Sequence, residues 1–291
     1  MSDRGAAVCG VCFRHCEIPE GGTGFCGARS CRNGKVTAAS YGIVTSLALD
    51  PIEKKPLNRF FPGSRILSVG SYGCNLRCPF CQNHEISWSE RAMRFSEAEE
   101  FISPEEVAET ARRYRSRGNI GVAFTYNEPL VGYEYVRDTA RLVHGMGMKN
   151  VLVTNGTAEL SVLEELAPYI DAMNIDLKGF TDSYYRDVLG GNRMMVMDFI
   201  SHAVKSCHVE VTTLIVPGEN DSIEEISALG SWIAQLDGGA GRQKGPEIPL
   251  HITRFFPRFH MTDRGATKVS DVYRLASAAR QHLKYVYEGN V

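Results

Sequence analysis

From residue 65 onward the chain repeats one pattern six times, a short apolar run followed by a longer amphipathic stretch. The runs are Arg65–Gly70, Val122–Thr125, Asn150–Thr154, Ala172–Leu177, Val209–Val216 and Leu250–Phe255. The stretches between and after them read as helices over Pro104–Arg117, Tyr133–Met146, Leu160–Tyr169, Met194–Ser206, Ile223–Leu236 and Val269–Leu283. Ser103 can cap the first of these, with Pro104 in its first turn and Glu106 placed to complete a capping box. Gly147 supplies the stop of the second. Short strands separated by helices form parallel βαβ units with right-handed crossovers. Six such units fall short of the closed eightfold barrel. Two architectures fit: a partial (β/α)6 TIM-like barrel, or a doubly wound sheet, and strand order is what separates them.

The 291 residues accommodate one such α/β core over residues 64–291 with a small appendage in front of it. Residues 1–35 are rich in Cys and Gly and lack periodicity, as in a module folded around a metal rather than around a core. Residues 36–63 read as a hairpin or strand and a bridging loop, in which Lys54-Lys55-Pro56 breaks any helix.

In parallel α/β folds the functional groups gather where the strands end. The first run feeds Gly73-Cys74-Asn75-Leu76-Arg77-Cys78-Pro79-Phe80-Cys81-Gln82-Asn83. Its C-x3-C-x2-C spacing lets Cys74, Cys78 and Cys81 wrap one face of an iron–sulfur cube. A [4Fe–4S] cluster that only carries electrons takes four cysteines, so three leave one iron open to another ligand. A structural zinc site, with His84 as fourth ligand, is the alternative for this loop. The later runs end in Thr125-Tyr126-Asn127-Glu128-Pro129, Thr154-Asn155-Gly156-Thr157, Asp176-Leu177-Lys178-Gly179 and Pro217-Gly218-Glu219-Asn220-Asp221, and the sixth carries His251, Thr253 and Arg254. Taken singly these have plain structural explanations: a helix start at Glu128-Pro129, a turn at Asn155-Gly156, an ion pair of Asp176 with Lys178, a satisfied buried His251.

A second set, Cys9, Cys12, Cys16 and Cys26, has the spacing C-x2-C-x3-C-x9-C, with Cys31 and His15 nearby. Gly21, Gly22, Gly24 and Gly27 allow the tight turns that a closed tetrahedral site needs. Zinc, a second iron–sulfur cluster, or free redox thiols all remain open for it. Cys207 stands apart and reads as a small core residue.

A net charge of −2 gives no global pull toward nucleic acid or anionic lipid. The basic run Arg112-Arg113-Tyr114-Arg115-Ser116-Arg117 falls at a helix end, where cations favour the dipole. No stretch approaches the roughly 18 apolar residues of a membrane span, and no signal pattern opens the chain. Nine cysteines without a secretory signal point to metal in a reducing cytoplasm, and an open cluster is oxygen-sensitive, which suggests an anaerobic setting.

The C-x3-C-x2-C run with an aromatic residue before its last cysteine resembles the radical S-adenosylmethionine (SAM) superfamily, known for partial (β/α)6 barrels. There SAM occupies the open iron, and an electron from the cluster splits it to methionine and a 5′-deoxyadenosyl radical. The resemblance implies that Phe80 lies against the adenine and that Asn127-Glu128-Pro129 matches a Gly-Gly-Glu-Pro segment holding the SAM ammonium, with Asn127 in place of the second glycine. Asp176 and Lys178 match the Asp-x-Lys of glycyl-radical activating enzymes at the SAM site, and His251 falls where those enzymes carry a histidine near the ribose. Asn155 and Gln82 join the expected SAM contacts.

Within the superfamily, the runs Tyr41-Gly42-x-Val44-Thr45-Ser46, Asp50-Pro51-Ile52-Glu53-Lys54-Lys55-Pro56-Leu57, Phe61-Pro62-Gly63-Ser64, Cys81-Gln82-Asn83, Tyr126-Asn127-Glu128-Pro129 and Arg254-Phe255-Phe256-Pro257 resemble the radical SAM enzyme of the AmmeMemoRadiSam system. That family is related to pyruvate formate-lyase activating enzymes. Its pattern continues into a C-terminal Cys-Pro-x-x-Cys-Gly segment, whereas this sequence closes on Tyr287-Glu288-Gly289-Asn290-Val291. The expected activity is radical hydrogen abstraction, with SAM, a [4Fe–4S] cluster and a reductant such as flavodoxin or ferredoxin. The substrate is a small molecule or a partner protein, or alternatively the backbone glycine of a glycyl radical enzyme. A non-enzymatic iron–sulfur or zinc scaffold is the contrasting expectation, disfavoured because a scaffold has no need of a complete set of polar strand ends.

Overall fold

The computed structural model describes residues 5–88 and 101–291. Two small antiparallel pairs open it: β1 (Ala7–Val8) with β2 (Glu17–Ile18), and β3 (Arg29–Arg32) with β4 (Lys35–Ala38). The second hairpin turns on Asn33 and Gly34, both at positive φ (53° and 69°), as a two-residue turn matched to strand twist requires. It runs through residue 35, so the metal-module boundary drawn there from composition falls inside a hairpin.

The main sheet has eight strands in sequence order: β5 (Ser46–Pro51), β6 (Arg65–Gly70), β7 (Asn119–Phe124), β8 (Lys149–Thr154), β9 (Ala172–Asp176), β10 (His208–Ile215), β11 (Leu250–Arg254) and β12 (Val286–Gly289). Strand β5 pairs antiparallel with β6, and every later pairing is parallel. Doubly wound sheets reverse strand order at a switch point. This one never reverses, and among the described residues no pairing joins β5 to β12. The architecture is an open, TIM-like β/α barrel. It carries one parallel strand more than the six read from the sequence, because β12 is four residues long and lies after the last helix.

Helix α1 (His84–Ser87) follows the cysteine loop. The crossovers carry α2 (Pro104–Arg113), α3 (Tyr133–Gly145), α4 (Leu160–Leu166), α5 (Arg193–Ala203), α6 (Ile223–Ala234) and α7 (Val269–Ala279). The capping box forms: Glu106 N donates to Ser103 Oγ at 3.2 Å, and Ser103 N donates to Glu106 Oε2 at 2.7 Å. Among the described residues no helix is long and apolar enough to cross a membrane.

Alternation along the strands assigns two faces. Leu67, Val69, Val122, Phe124, Leu152, Met173 and Val211 belong to the large apolar core that includes the helices. The opposite, concave face starts with Ile66, Ala123, Val151 and Ala172, which pack on Ile52, Leu57 and Phe60. Residues 52–63 therefore plug the barrel where its strands begin. The plug is also polar. Asn58 N and Arg59 N donate to the two oxygens of Glu210, at 3.0 and 2.7 Å, and Asn174 Nδ2 donates to Pro56 O at 2.8 Å. With that end closed, the strand C-termini form the accessible mouth.

Candidate active site

At the mouth the cysteine loop is pinned by its own intervening residues. Asn75 Nδ2 donates to Thr157 O at 2.8 Å, while Asn75 Oδ1 accepts from Thr157 Oγ1 and Asn155 Nδ2, both at 3.0 Å. The Arg77 guanidinium donates to Cys74 O (2.8 Å), Leu76 O (2.9 Å) and Phe25 O. Arg14, from the N-terminal module, donates through Nε to Asn75 O at 2.8 Å. Asn75, Arg77 and Arg14 escaped the sequence reading. The first two occupy unspecified positions of the motif, and nothing local marks Arg14 as a partner of a loop sixty residues on.

The thiols this loop presents are buried or half-buried, and none is in a disulfide. Burial pushes Cys74, Cys78 and Cys81 above the ordinary thiol range, Cys78 to about 11; for Cys74 the nearby Glu128 and Cys78 charges add to the rise. Two N–H groups face Cys74 Sγ, Leu76 N at 3.4 Å and Asn155 Nδ2 at 3.7 Å. His84, the alternative fourth zinc ligand, stacks flat on Phe259 with ring centroids 4.1 Å apart.

Beside Cys74 stands the end of β7. Tyr126 is held at φ +78°, a left-handed conformation that costs about 1 kcal/mol outside glycine. Its hydroxyl donates to Asp50 Oδ2 at 2.7 Å, and the Lys55 ammonium lies 4.6 Å from its ring centre. Those contacts over-determine a backbone turn that a glycine would make freely. Asn127 turns its side chain inward. Its Oδ1 accepts from Ser71 N (3.0 Å), and its Nδ2 donates to Tyr72 O (3.0 Å) and Gly73 O (3.2 Å). Asn127 thus shapes the exit from β6.

Glu128 is buried, 3% exposed. Its carboxylate accepts from Thr154 Oγ1 (2.7 Å), Asn155 N (2.8 Å) and Leu130 N (3.0 Å). Burial outweighs these donors and lifts its pKa to about 7. Among the described residues no basic side chain forms an ion pair with it. Asp176 and Lys178 meet at 2.8 Å at the end of β9. Burial works against the Lys178 ammonium, but Asp176 and the Cys78 sulfur outweigh it and hold its pKa above the ordinary lysine value. Phe80 is buried, its ring edge-on to Phe255 at 6.1 Å. Gln82 is exposed.

Comparison with known proteins now bears on these residues. The Radical SAM superfamily profile matches residues 68–229, more than half of the chain. The chain belongs to the radical SAM superfamily. An uncharacterized protein, MJ0808, of Methanocaldococcus jannaschii is 40% identical over 286 residues, covering 97% of this chain and 81% of that one. The pyruvate formate-lyase 1-activating enzyme of Escherichia coli is 27% identical over 178 residues, covering 60% of this chain and 70% of the enzyme. Among solved structures, Streptococcus suis SuiB shares the fold with a TM-score of 0.56 at 14% identity. The match takes in 76% of this chain and 48% of SuiB, about half of that protein's length.

Radical SAM proteins are enzymes that use a [4Fe–4S] cluster, SAM and a reductant, and the cysteine loop fits the cluster. Among the described residues no three or more His, Cys, Asp or Glu side chains are drawn together to hold a single metal ion. A cube asks something different, since each thiolate binds a separate iron. Buried thiols that burial keeps protonated, with N–H donors aimed at sulfur, become sensible once an electropositive cluster neutralises them.

His251 belongs to β11. It lies on the concave face in register with Thr212 and, through it, Asp176. Its Nε2 is taken by Glu210 Oε2 at 2.7 Å, and its ring stacks on Tyr287 at 5.3 Å, leaving only Nδ1 unaccounted for. The expectation missed this because Glu210 sits forty-one residues away on the neighbouring strand.

Proposed function

We propose that this radical SAM protein cleaves SAM reductively at a cluster held by Cys74, Cys78 and Cys81, and abstracts hydrogen from a substrate of the AmmeMemoRadiSam type. One observation carries the reading. Asn155 faces the Cys74 sulfur with its side-chain amide and donates its backbone N–H to Glu128 at 2.8 Å. A single residue therefore ties the thiolate that would hold the cluster to the carboxylate that would hold the SAM ammonium.

The cluster supplies the electron, and the remaining work belongs to the chain. Glu128 offers a buried carboxylate without a cation partner, and an incoming ammonium would keep it ionised. Thr154 and the amides of Asn155 and Leu130 fix the orientation of that carboxylate. Asp176 and Lys178 set opposite charges at the next strand end, one suited to donors and one to a carboxylate. Phe80 offers an apolar face beside the third thiol. Together these groups orient the ligand and exclude water, which is what protein contributes when a cofactor carries the difficult chemistry.

A second substrate class, a glycyl radical enzyme, is favoured by the likeness to the pyruvate formate-lyase activating enzyme. That likeness covers 60% of this chain, whereas the runs that resemble the AmmeMemoRadiSam enzyme extend from Tyr41 to Pro257, so the first reading is preferred. The test is anaerobic reconstitution with iron and sulfide, then reduction with SAM present. We expect 5′-deoxyadenosine from the native chain and none above background from the Cys74→Ala/Cys78→Ala/Cys81→Ala variant. Equal yields from the two, or none from the native chain, would remove the assignment.

A further inference from the structure

A second cysteine set lies outside this site. We propose that Cys9, Cys12, Cys16 and Cys26 bind one tetrahedral metal ion of the zinc class, and that this ion anchors the N-terminal module against the catalytic loop. The inference is independent of the radical chemistry.

The four cysteines come from separate turns of the module and line one cavity of ≈ 10 Å³, room for a single water-sized guest. Cys9 and Cys16 are brought together by the β1–β2 ladder, in which Cys9 N donates to Cys16 O at 2.9 Å. His15, at φ +38°, makes the turn before Cys16. Cys31 and His15 point elsewhere: Cys31 Sγ lies 3.9 Å from Glu20 Oε2, and His15 Nε2 lies 3.2 Å from Glu159. The four-residue set that the spacing suggested is thus the set that surrounds the cavity.

Two physical arguments favour a metal there. Apart from cysteines, the buried apolar residues between Ala7 and Arg32 are Val11, Ile18 and Ala28. A segment with so little core needs a disulfide or a metal to hold one structure, and no disulfide is present. A divalent ion with four thiolates carries two excess negative charges. Two guanidinium groups, Arg14 and Arg29, line the same cavity. Arg29 is paired with Glu134 at 2.8 Å, and Arg14, which bonds only backbone carbonyls among the described residues, is the charge that offsets the excess. The thiols surround the space without yet converging on one point, so loading would draw them inward.

The ion would also brace the catalytic loop. Cys74 N donates to Cys26 O at 3.2 Å, and Arg14 holds Asn75 O. Gly73 packs so closely that a Cβ there would lie 2.6 Å from Ala28 Cβ and 2.7 Å from Cys26 O. A ligand of the proposed site is therefore one hydrogen bond from a ligand of the proposed cluster.

The test uses the full chain carrying Cys74→Ala/Cys78→Ala/Cys81→Ala, so that the catalytic cluster and SAM cleavage play no part. Elemental analysis is expected to find about one zinc per chain. Adding Cys26→Ser should remove most of it, and adding Cys31→Ser should leave it in place. Stoichiometric iron with sulfide, no bound metal, or zinc indifferent to Cys26→Ser would each overturn the proposal. Because Cys26→Ser also removes a buried residue, cobalt titration of the chelator-stripped triple variant gives a second reading. Tetrahedral thiolate–cobalt absorption saturating at one ion per chain is expected, and its absence overturns the assignment as well.

Discussion

Two buried glutamates in one barrel end in opposite electrostatic states. Glu128, at the mouth, accepts from a hydroxyl and two backbone amides, and its pKa stands at about 7. Glu210, toward the plugged end, accepts from the Asn58 and Arg59 amides and faces His208 at 3.0 Å and His251 at 2.7 Å. Burial raises Glu210 too, but the two histidines and the amides outweigh it and bring the pKa to about 2. The difference lies in the company each keeps. Glu210 finds its partners, two imidazoles and two backbone amides, within the fold, so it holds the fold together. Glu128 is oriented but not neutralised, which is the state of a carboxylate waiting for a cationic ligand.

The comparison breaks most sharply on Glu210→Ala. It strands two backbone amides and two imidazoles, and we expect a loss of about 3–5 kcal/mol in chemical denaturation. A loss below about 1 kcal/mol would show that the plug does not depend on that carboxylate. Glu128→Gln should act on the ligand as well as the fold. The amide oxygen can keep Thr154 and Leu130 N as donors while the NH2 then faces Asn155 N, so stability should fall by about 1–3 kcal/mol, and SAM binding should weaken roughly 10- to 100-fold for want of a charge-assisted contact worth about 1.5–3 kcal/mol. Isothermal titration of the reconstituted protein reads this, and unchanged affinity would detach Glu128 from the ammonium.

Opposite pH slopes sharpen the contrast further. Glu210 titrates below its ordinary 4.5 in the fold, so its stabilisation is full above pH 4.5 and is lost as pH falls through about 2. Glu128 titrates above 4.5, so its share is full below pH 4.5 and is lost as pH rises through about 7. Each is on the order of 3 kcal/mol, and each slope should vanish in its own Gln variant when denaturation is followed across pH. By the same logic SAM should bind about tenfold tighter at pH 8 than at pH 6, because ligand binding draws on the ionised form of Glu128. The smallest effect is Tyr126→Phe. It removes one hydroxyl from Asp50, whose remaining donors are Lys54, Lys55 and Ser68, and should cost about 1 kcal/mol by thermal unfolding.

The sequence by itself determined the periodic content of the barrel and the chemistry of its mouth. Apolar runs spaced by amphipathic ones carry their period in the residues themselves, so β6 and the capped start of α2 lie where the pattern puts them. The three cysteines declare themselves because they come from one loop, and the strand-end clusters at Glu128, Asn155 and Asp176 follow from chain direction alone. Tertiary structure decided the rest. It added β12 to the sheet, since an edge strand of four residues carries too little pattern to stand out, and it paired β5, from the stretch read as a hairpin or strand, antiparallel with β6. It turned Asn127 inward to lock a loop and gave His251 to Glu210. It also made Asn155 the link between sulfur and carboxylate. Each of these depends on partners tens of residues away whose meeting is fixed by strand register, and register is a property of the closed fold that no local run of residues encodes.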